Sequence, residues 1–240
     1  MKPSARIKWR HVGRLYERLA PLLKASPVKM SSPERGRALV LAPHIDDDVI
    51  GAGGCLRKHV LAGDYVKVVY LADCTEERIA EAEEAAEVIG FVNLEFLGYE
   101  SKRLLQNAEI PERLDNIIRE ASPDFVYLPS LFDRHNDHLA LNHHLASIQK
   151  DRDYGFTVCA YEVWTALVPN LVVDITDTVG AKKEALARYR SQLVSNDWLE
   201  AAVSLNRYRG VTSGAGAYAE GFMRYSAREY YAIWKAVYGK

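Results

Sequence analysis

ALVLAPHIDDD (residues 38–48) joins a short apolar run directly to a cluster of polar residues. The five consecutive apolar residues Ala38 to Ala42 are typical of a strand that is buried on both faces of a parallel sheet. One histidine and three carboxylates follow within residues 43–48. Since ligands of open parallel sheets bind at the carboxyl ends of the strands, this stretch is the first candidate for a functional site.

The chain after this stretch alternates between strand and helix patterns. Further strands are predicted at residues 66–72, 94–97, 125–128 and 157–162, and helices at residues 49–62, 76–89, 111–121 and from about His138. Thr75 and Gly90 have the residue types that begin and end the second of these helices. The alternation indicates βαβ units, so we expect an α/β fold, a Rossmann-like three-layer sandwich with a mostly parallel sheet. After Asp177 the pattern predicts mainly helix, broken by a glycine-rich stretch at 210–221.

The composition excludes several classes of protein. Of the 240 residues, 48% are apolar and 26% are charged, which argues against a disordered tail, a collagen-like fibre or a disulfide-stapled miniprotein. The three cysteines are far apart and odd in number, so they form neither a disulfide framework nor a zinc site of cysteines alone. No apolar run approaches the roughly 20 residues that span a bilayer, and the first residues lack the apolar core of a signal peptide. We therefore expect a cytoplasmic protein.

Residues 1–37 differ from the rest of the chain in charge. They contain ten Lys or Arg and two Glu, a net charge of +8, which leaves −9 for residues 38–240. Their apolar residues recur at helical spacing and predict a basic amphipathic helix that ends near Pro27. We expect an N-terminal extension over 1–37 and one domain over 38–240. The helix either packs on the acidic domain or contacts an anionic membrane or a partner protein, whereas nucleic acid is not an expected partner of an acidic domain.

A second polar cluster follows the predicted strand at 125–128. Arg134-His135-Asn136-Asp137-His138 places two histidines three residues apart, with an aspartate between them. If the two clusters follow neighbouring strands, imidazole and carboxylate ligands converge and suit Zn²⁺ or a similar divalent ion, with one position left for water. The three carboxylates of the first cluster would otherwise repel one another beside a buried strand. The alternative is an acidic turn that only caps the next helix.

Both clusters resemble the signature motifs of a known family. His44-x-Asp46-Asp47 followed by Gly51-Ala52-Gly53-Gly54, and later His135-x-Asp137-His138, are similar to the two motifs of the LmbE-like/PIG-L family of zinc-dependent sugar N-deacetylases. The similarity extends over roughly residues 38–240. Ile45 and Asn136 replace prolines of the family pattern and remove no functional group, whereas Asp48 replaces a glutamate and leaves the contact of that side chain open.

The resemblance implies roles for the residues of the first motif and the last residue of the second. One Zn²⁺ per chain would be held by His44, Asp47 and His138. Asp46 matches the carboxylate that takes a proton from the attacking water as general base. The zinc ion would lower the pKa of that water and polarise the acyl oxygen.

The remaining motif residues complete the implied reaction. His135 matches the histidine that stabilises the oxyanion or protonates the leaving amine, and Asp137 matches the acid that orients His135. Such a chain would remove the N-acetyl group from a small-molecule substrate, an N-acetylated amino sugar or its conjugate. Two alternatives stay open: an amidase acting on a larger sugar conjugate recruited by the N-terminal helix, and a non-catalytic Rossmann-like module that binds a nucleotide sugar.

Residues outside the motifs give weaker signals. The glycines at 51–54 miss the dinucleotide-binding GxGxxG spacing, because Leu56 occupies the third glycine position. They allow either close backbone approach beside the metal loop or close packing of helix on sheet. Candidate sugar contacts, with plain packing or surface positions as the alternative, are Trp164, Arg103 and Tyr218. Arg78 and Glu81 lie three residues apart on one predicted helix and are expected to form a scaffold ion pair.

Overall fold

The computed structural model of this chain describes residues 26–150, 152 and 154–239. The predicted N-terminal helix falls almost entirely before residue 26 and so lies outside the described residues. The strands are β1 (Val28–Met30), β2 (Ala38–Ala42), β3 (Val66–Ala72), β4 (Asn93–Tyr99), β5 (Phe125–Pro129), β6 (Thr157–Tyr161), β7 (Leu171–Asp174) and β8 (Ala219–Ser226). In the described residues they form one eight-stranded sheet with the spatial order β1-β7-β8-β6-β5-β2-β3-β4.

Helices cover both faces of this sheet. They are α1 (Asp47–Leu61), α2 (Glu76–Ile89), α3 (Ile110–Ala121), α4 (Asn136–Gln149), α5 (Val179–Leu186), α6 (Arg190–Leu193), α7 (Trp198–Ser213) and α8 (Ala227–Tyr238), with one 3₁₀ turn at Leu104–Gln106. Thr75 caps α2 by accepting a hydrogen bond from the Arg78 backbone, and Gly90 ends the helix in the left-handed conformation. Both helix-end predictions are confirmed.

The alternating side chains of the strands divide the interior into two layers. Leu39 and Leu41 of β2 pack into an apolar cluster with α3, α4 and α8, whereas Val40 packs on the opposite face with α1, α2 and α5. Of the seven strand pairings between residues 26 and 239 that the structure describes, five are parallel, and β8 runs antiparallel to both of its neighbours, β6 and β7. The predicted α/β sandwich with a mostly parallel sheet is confirmed.

Strand β8 contradicts the expectation of mainly helix after Asp177. It lies within and just beyond the glycine-rich stretch, where Glu220, Gly221 and Arg224 interrupt the apolar residues and obscure any strand pattern. The strand forms because β6 and β7 flank it and satisfy its backbone hydrogen bonds on both edges. Strand β1, in the stretch assigned to the N-terminal extension, pairs in parallel with β7 at the edge of the sheet.

Helix α1 packs close to the sheet because its glycines have no side chains. A Cβ at Gly51 would collide with the Tyr161 ring, and one at Gly54 would lie 2.7 Å from Cβ of Ile175. These contacts favour the interpretation of the glycines as packing residues, with the backbone of α1 lying against β6 and the loop after β7.

A buried ion pair also holds the backbone of α1 in place. Lys182 and Glu220 are both fully buried, and the Lys182 ammonium donates to Glu220 Oε1 at 2.6 Å and to the carbonyl of Ile50 at 2.8 Å. The Glu220 carboxylate also accepts hydrogen bonds from the backbone N–H groups of Gly54 and Cys55. Every polar atom of this pair therefore has a partner, which a buried pair requires.

The side of the sheet on which the chain adds its strands changes at β2, and this change determines where the site lies. After β2 the chain builds β3 and β4 on one side and returns to β5 on the other side, with all of these neighbours parallel. The carboxyl ends of β2 and β5 therefore flank a topological switch point, where the outgoing loops diverge and leave a crevice. The two polar clusters follow these two strands. Among the described residues, no helix combines the length and the apolar character that crossing a membrane requires.

Candidate active site

The loop after β2 bends sharply to bring its carboxylates to the crevice. Asp46, the N-cap residue of α1, has φ 137°, a region that residues other than glycine rarely occupy. The His44 backbone N–H donates to Asp47 Oδ2 at 2.9 Å and closes the turn. Strained backbone of this kind occurs where the surrounding structure holds a side chain in one functional position.

Three donor atoms from the two clusters meet in this crevice. Asp47 Oδ2 lies 3.2 Å from His44 Nδ1 and 3.2 Å from His138 Nε2. Donor atoms around a tetrahedral zinc ion with bonds of about 2.0–2.1 Å lie roughly 3.3 Å apart, so this spacing fits one shared ion. The ring nitrogens of His44, His135 and His138 also lie within 4.8 Å of one another. This cluster could therefore hold a metal ion.

The buried ring of His138 supports the same fit. Its Nε2 lies 3.2 Å from Asp47 Oδ2, yet neither of its ring nitrogens forms a hydrogen bond with any described residue. A buried nitrogen without a partner costs about 1–3 kcal/mol, which coordination of a cation would offset. Burial alone would lower the pKa of His138, but the Asp47 carboxylate beside it raises the pKa to about 9.

Asp46 and Asp48, the two aspartates next to Asp47 in the sequence, differ in their surroundings. Burial and the Asp47 carboxylate raise the pKa of Asp46 well above its ordinary value, and Asp46 lines the crevice. Asp48 instead points into the core, where it is fully buried and accepts a hydrogen bond from the Tyr70 hydroxyl at 2.9 Å. Burial raises the pKa of Asp48 to about 7. The contact that the sequence leaves open for Asp48 is therefore Tyr70.

The side chain of Asp137 contacts a different histidine from the one expected. Its Oδ2 lies 3.1 Å from His44 Nε2 and accepts from the Ser101 hydroxyl at 2.9 Å, while the Lys102 backbone N–H donates to the same carboxylate at 2.9 Å. The expected partner was the His135 ring, which instead accepts at Nδ1 from the Asp137 backbone N–H at 3.3 Å. The reason is local: His135 is the N-cap of α4, so the first turn directs the Asp137 side chain back toward β4.

Asp133 is a site residue that the sequence analysis missed. It is buried, and its Oδ1 lies 3.5 Å from His138 Nδ1. The carboxylate is fixed by the backbone N–H groups of His135 and Trp164, at 2.9 and 3.0 Å. Metal-ligating histidines usually face a carboxylate or carbonyl through their other nitrogen. That rule, applied to the aspartate nearest the second motif, would have found Asp133.

The crevice opens into a cavity of about 190 Å³ with an aromatic wall. Trp164 stacks on His135, with ring centroids 5.9 Å apart, and meets Trp198 edge to face at 4.7 Å. Of the three candidate sugar contacts, Trp164 lines the cavity. Arg103 is an exposed residue paired with Glu100, and Tyr218 lies against Lys183 and Arg207.

The expected ion pair between Arg78 and Glu81 is wrong. The Glu81 carboxylate accepts from the backbone N–H and the hydroxyl of Ser191, at 2.8 and 2.7 Å. Arg78 lies 3.2 Å from Asp73 Oδ2 and lines the cavity, where its guanidinium also reaches the Gln192 amide oxygen. Glu81 therefore anchors α6 to α2, and Arg78 gives the cavity a positive side.

Comparison with known proteins bears on the identity of this site. Residues 39–148 match the PIG-L family, described as GlcNAc-PI de-N-acetylase. Diacetylchitobiose deacetylase of Thermococcus kodakarensis is 25% identical, in a match that covers 76% of this chain and 80% of that protein. The match includes both polar clusters, and the resemblance drawn from the motifs is confirmed.

Solved structures share the fold. N,N'-diacetylchitobiose deacetylase of Pyrococcus horikoshii superposes with a TM-score of 0.70 at 24% identity, covering 95% of this chain and 96% of its own. GalB of Pseudomonas putida, a 4-carboxy-2-hydroxymuconate hydratase, superposes with a TM-score of 0.65 at 24% identity, covering 78% of this chain and 95% of its own. The same fold therefore carries different reactions, and the reaction has to be argued from the site.

Proposed function

Since residues 39–148 belong to the PIG-L family, we propose that this chain hydrolyses the N-acetyl group of an N-acetylated amino sugar or of its conjugate. The observation that carries the proposal is that Asp47 Oδ2 lies 3.2 Å from a ring nitrogen of both His44 and His138, with the Asp46 carboxylate lining the same cavity. The relative from Thermococcus acts, by its name, on an N-acetylated amino sugar, which supports the substrate class.

We propose that the metal is one Zn²⁺, bound by His44, Asp47 and His138. Asp47 is preferred to His135 as the third ligand, because its oxygen lies 3.2 Å from both other donors, whereas the set of three imidazoles spans up to 4.8 Å. A zinc ion with three protein ligands supplies a water whose pKa is about 7 and a Lewis acid for the acyl oxygen.

Asp46 and His135 supply the proton transfers and the hydrogen bonds. Asp46 lines the cavity next to the ligand Asp47 and accepts the proton of the attacking water, which it then delivers to the departing amine. His135 accepts a backbone hydrogen bond at Nδ1, so its proton resides on Nε2 and can be donated to the acyl oxygen as negative charge develops there. A donor of this type contributes about 2.7–4 kcal/mol to the transition state.

Two further carboxylates hold the ligands in place. Asp137, fixed by Ser101 and Lys102, contacts Nε2 of His44, and Asp133 faces Nδ1 of His138. Each leaves the other ring nitrogen of its histidine directed at Asp47, which sets the tautomer that can bind a cation. We propose that Asp137 acts on His44 and Asp133 on His138 as positioning residues.

The cavity walls suit a small sugar substrate. Trp164 and Trp198 present aromatic surface, which packs against the apolar face of a pyranose, and Arg78 and Gln192 offer hydrogen-bond donors for hydroxyl groups. We propose residues 38–240 as the catalytic domain. Residues 1–37 would be an N-terminal extension, of which Val28–Met30 contributes the edge strand β1.

The test is hydrolysis of N-acetylhexosamine conjugates by the zinc-loaded full-length protein. Acetate and free amine are measured in equal amounts, together with the metal content per chain. We expect release of both products from at least one conjugate and loss of release after chelation. A protein that binds one zinc ion per chain and liberates no acetate from any N-acetylated amino sugar would overturn the proposal.

A matched pair of variants tests the general base. Asp46→Asn removes the proton acceptor and should retain zinc while losing turnover by about 10² or more. Asp177→Asn makes the same chemical change at a largely exposed residue paired with Lys58 and should leave turnover unchanged. Undiminished turnover of Asp46→Asn would remove Asp46 from the mechanism.

A further inference from the structure

A second cavity lies beside the candidate active site. It has a volume of about 420 Å³, more than twice the 190 Å³ of the active-site cavity. It is lined by residues of the 3₁₀ turn at Leu104–Gln106, the first turns of α4 and the end of α8, and it is open to solvent on one side. Small-molecule sites in proteins range from about 300 to 1,000 Å³, so this cavity has the size of a ligand site, and the active-site cavity alone is smaller than most.

The two cavities share a wall that is one residue thick. Ser101 and His135 line the active-site cavity, and their chain neighbours Lys102 and Asn136 line the second one. Asp137 lines the second cavity as well, while its carboxylate contacts His44 in the first. A ligand in the active site that extends past this wall would enter the second cavity.

The lining of the second cavity is mainly apolar. Leu105 and Tyr238 are 53% and 42% exposed, although both are large apolar residues that could be buried. Trp234 also lines this cavity and contacts the His143 ring edge to face, with ring centroids 5.3 Å apart. Several large apolar side chains converging on one concave surface next to a polar site mark a place for an apolar group.

We propose that this cavity binds an apolar alkyl aglycone, so that the substrate is an N-acetylated amino sugar joined to an alkyl chain. This inference rests on the proposed function, because it assigns the part of the substrate that lies outside the active-site cavity. Both cavities are open to solvent on one side, so a flexible alkyl chain can pass over the rim at Ser101–Lys102 and lie against Leu105, Trp234 and Tyr238. Burial of each methylene there contributes up to about 0.8 kcal/mol, so the aglycone has a measurable effect.

The experiment compares the octyl and methyl glycosides of N-acetylglucosamine as substrates of the zinc-loaded full-length protein. The two differ only in the alkyl chain, and both are used below the concentration at which the octyl compound forms micelles. We expect kcat/KM to be at least roughly tenfold higher for the octyl glycoside. Equal values would overturn the inference and leave the proposed function intact.

Two variants test whether the preference for the octyl glycoside arises in this cavity. Leu105→Lys puts a charge on the rim of the cavity and should reduce the octyl-to-methyl ratio of kcat/KM to near one. Val92→Lys makes the same type of change at an apolar residue that is 87% exposed and precedes β4, at the opposite end of that strand from Tyr99 and the wall. It should keep the full ratio. A ratio that falls equally in both variants, or in neither, would overturn the assignment to this cavity.

A binding measurement separates the cavity from the chemistry. Octyl glucoside carries no acetamide and is not a substrate, so its binding by calorimetry does not depend on hydrolysis. We expect it to bind the wild-type protein and Val92→Lys, and to bind Leu105→Lys at least roughly tenfold more weakly. If neither glycoside is hydrolysed, the other N-acetylhexosamine conjugates decide the proposed function, and this binding measurement alone decides the inference about the cavity. Leu105-dependent binding of octyl glucoside would then still support the cavity as a site for an alkyl group, and absence of binding would overturn it.

Discussion

Each end of α1 lies beside a buried histidine and a carboxylate, but only one of the two histidines has hydrogen-bond partners. Near its C-terminal end, His59 is fully buried, with Nδ1 2.8 Å from Asp64 Oδ2 and Nε2 3.0 Å from the Tyr127 hydroxyl. At its N-terminal end, Asp47 faces the equally buried His138, whose two ring nitrogens form no hydrogen bond with any described residue. We call His59, Asp64 and Tyr127 the His59 cluster. The His138 cluster is the group at the other end of the helix: His44, Asp47, Ser101, Asp133, Asp137 and His138.

The difference shows how a structural histidine is told from a candidate ligand. Both clusters combine imidazole, carboxylate and burial, so residue type and exposure alone do not separate them. In the His59 cluster each polar atom of the ring is satisfied within the protein, which leaves no capacity for a ligand. In the His138 cluster the metal-binding atoms are spaced for a cation, and the two ring nitrogens of His138 lack hydrogen-bond partners among the described residues. Unsatisfied donors, and not the presence of histidine, point to the site.

Exchanging the histidines for alanine should give the largest contrast. His138→Ala should lose stoichiometric zinc and all measurable turnover, because it removes one of three proposed ligands. His59→Ala should retain both and instead lower the free energy of unfolding by about 2–3 kcal/mol, because it leaves a cavity and removes the hydrogen bonds of His59 to Asp64 and Tyr127. Metal analysis, acetate release and urea denaturation measure these effects. Zinc bound at one ion per chain by His138→Ala would contradict the comparison.

Replacing the carboxylates that contact the histidine rings on the side away from Asp47 should give the next largest effect. Asp133→Asn and Asp137→Asn should each weaken zinc binding by about 10- to 100-fold, because these side chains orient His138 and His44. Competition with a chromophoric chelator measures the affinity without any reference to turnover.

Asp64→Asn provides the matched control for the carboxylates. It makes the same change in the His59 cluster, where Asp64 contacts His59 and Arg35. We expect its zinc affinity to equal that of the wild-type protein. An equal loss of affinity in all three variants would mean that the effect is a general loss of stability and not a loss of ligand orientation.

The pH dependence of stability should report on the His59 cluster. Burial lowers the pKa of His59 below its ordinary value of 6.5 in spite of the hydrogen bond to Asp64. Above pH 6.5 the folded and unfolded chains are both neutral at this residue, so it contributes no pH dependence. As the pH falls below 6.5, the unfolded chain binds a proton that the folded chain does not, and the fold loses stability until the lowered pKa is reached.

The measurement compares the wild-type protein with His59→Gln. Between pH 7.5 and 5.5 the wild-type protein should lose more unfolding free energy than the variant, by up to about 1.4 kcal/mol. Urea denaturation at the two pH values gives both losses, and their difference removes the contributions of the other histidines. Identical losses would show that His59 takes up its proton equally in the folded and unfolded chains.

Local patterns of the sequence were sufficient for most of the fold. The apolar run of β2, the Thr75 cap and the Gly90 stop act within a few residues, and the structure has each of them in its predicted place. Strand β8 was missed because its stability comes from pairing with two strands that lie far away in the sequence. Short-range patterns carry no information about such partners.

The candidate site was likewise predictable from the sequence only in part. The rule that ligands bind where parallel strands end brought the two motifs together from the sequence, and the structure places His44, Asp47 and His138 in contact distance. The partners of single side chains were not predictable. Glu81 binds Ser191, 110 residues away, in place of Arg78 on its own helix, and the side chain of Asp137 contacts His44 in place of His135.

The smallest expected effect comes from removing one hydroxyl from each cluster. Ser101→Ala takes one donor from Asp137, whose carboxylate keeps the Lys102 backbone N–H, so zinc affinity should fall by only about 3- to 10-fold. Tyr127→Phe takes the partner of His59 Nε2 and should leave zinc affinity unchanged while lowering the unfolding free energy by about 0.5–1.5 kcal/mol. Chelator competition and urea denaturation on both variants complete the test. If loss of the Tyr127 hydroxyl weakened zinc binding as much as loss of the Ser101 hydroxyl, the two ends of α1 would be energetically coupled, and a satisfied cluster could no longer be treated as independent of the site.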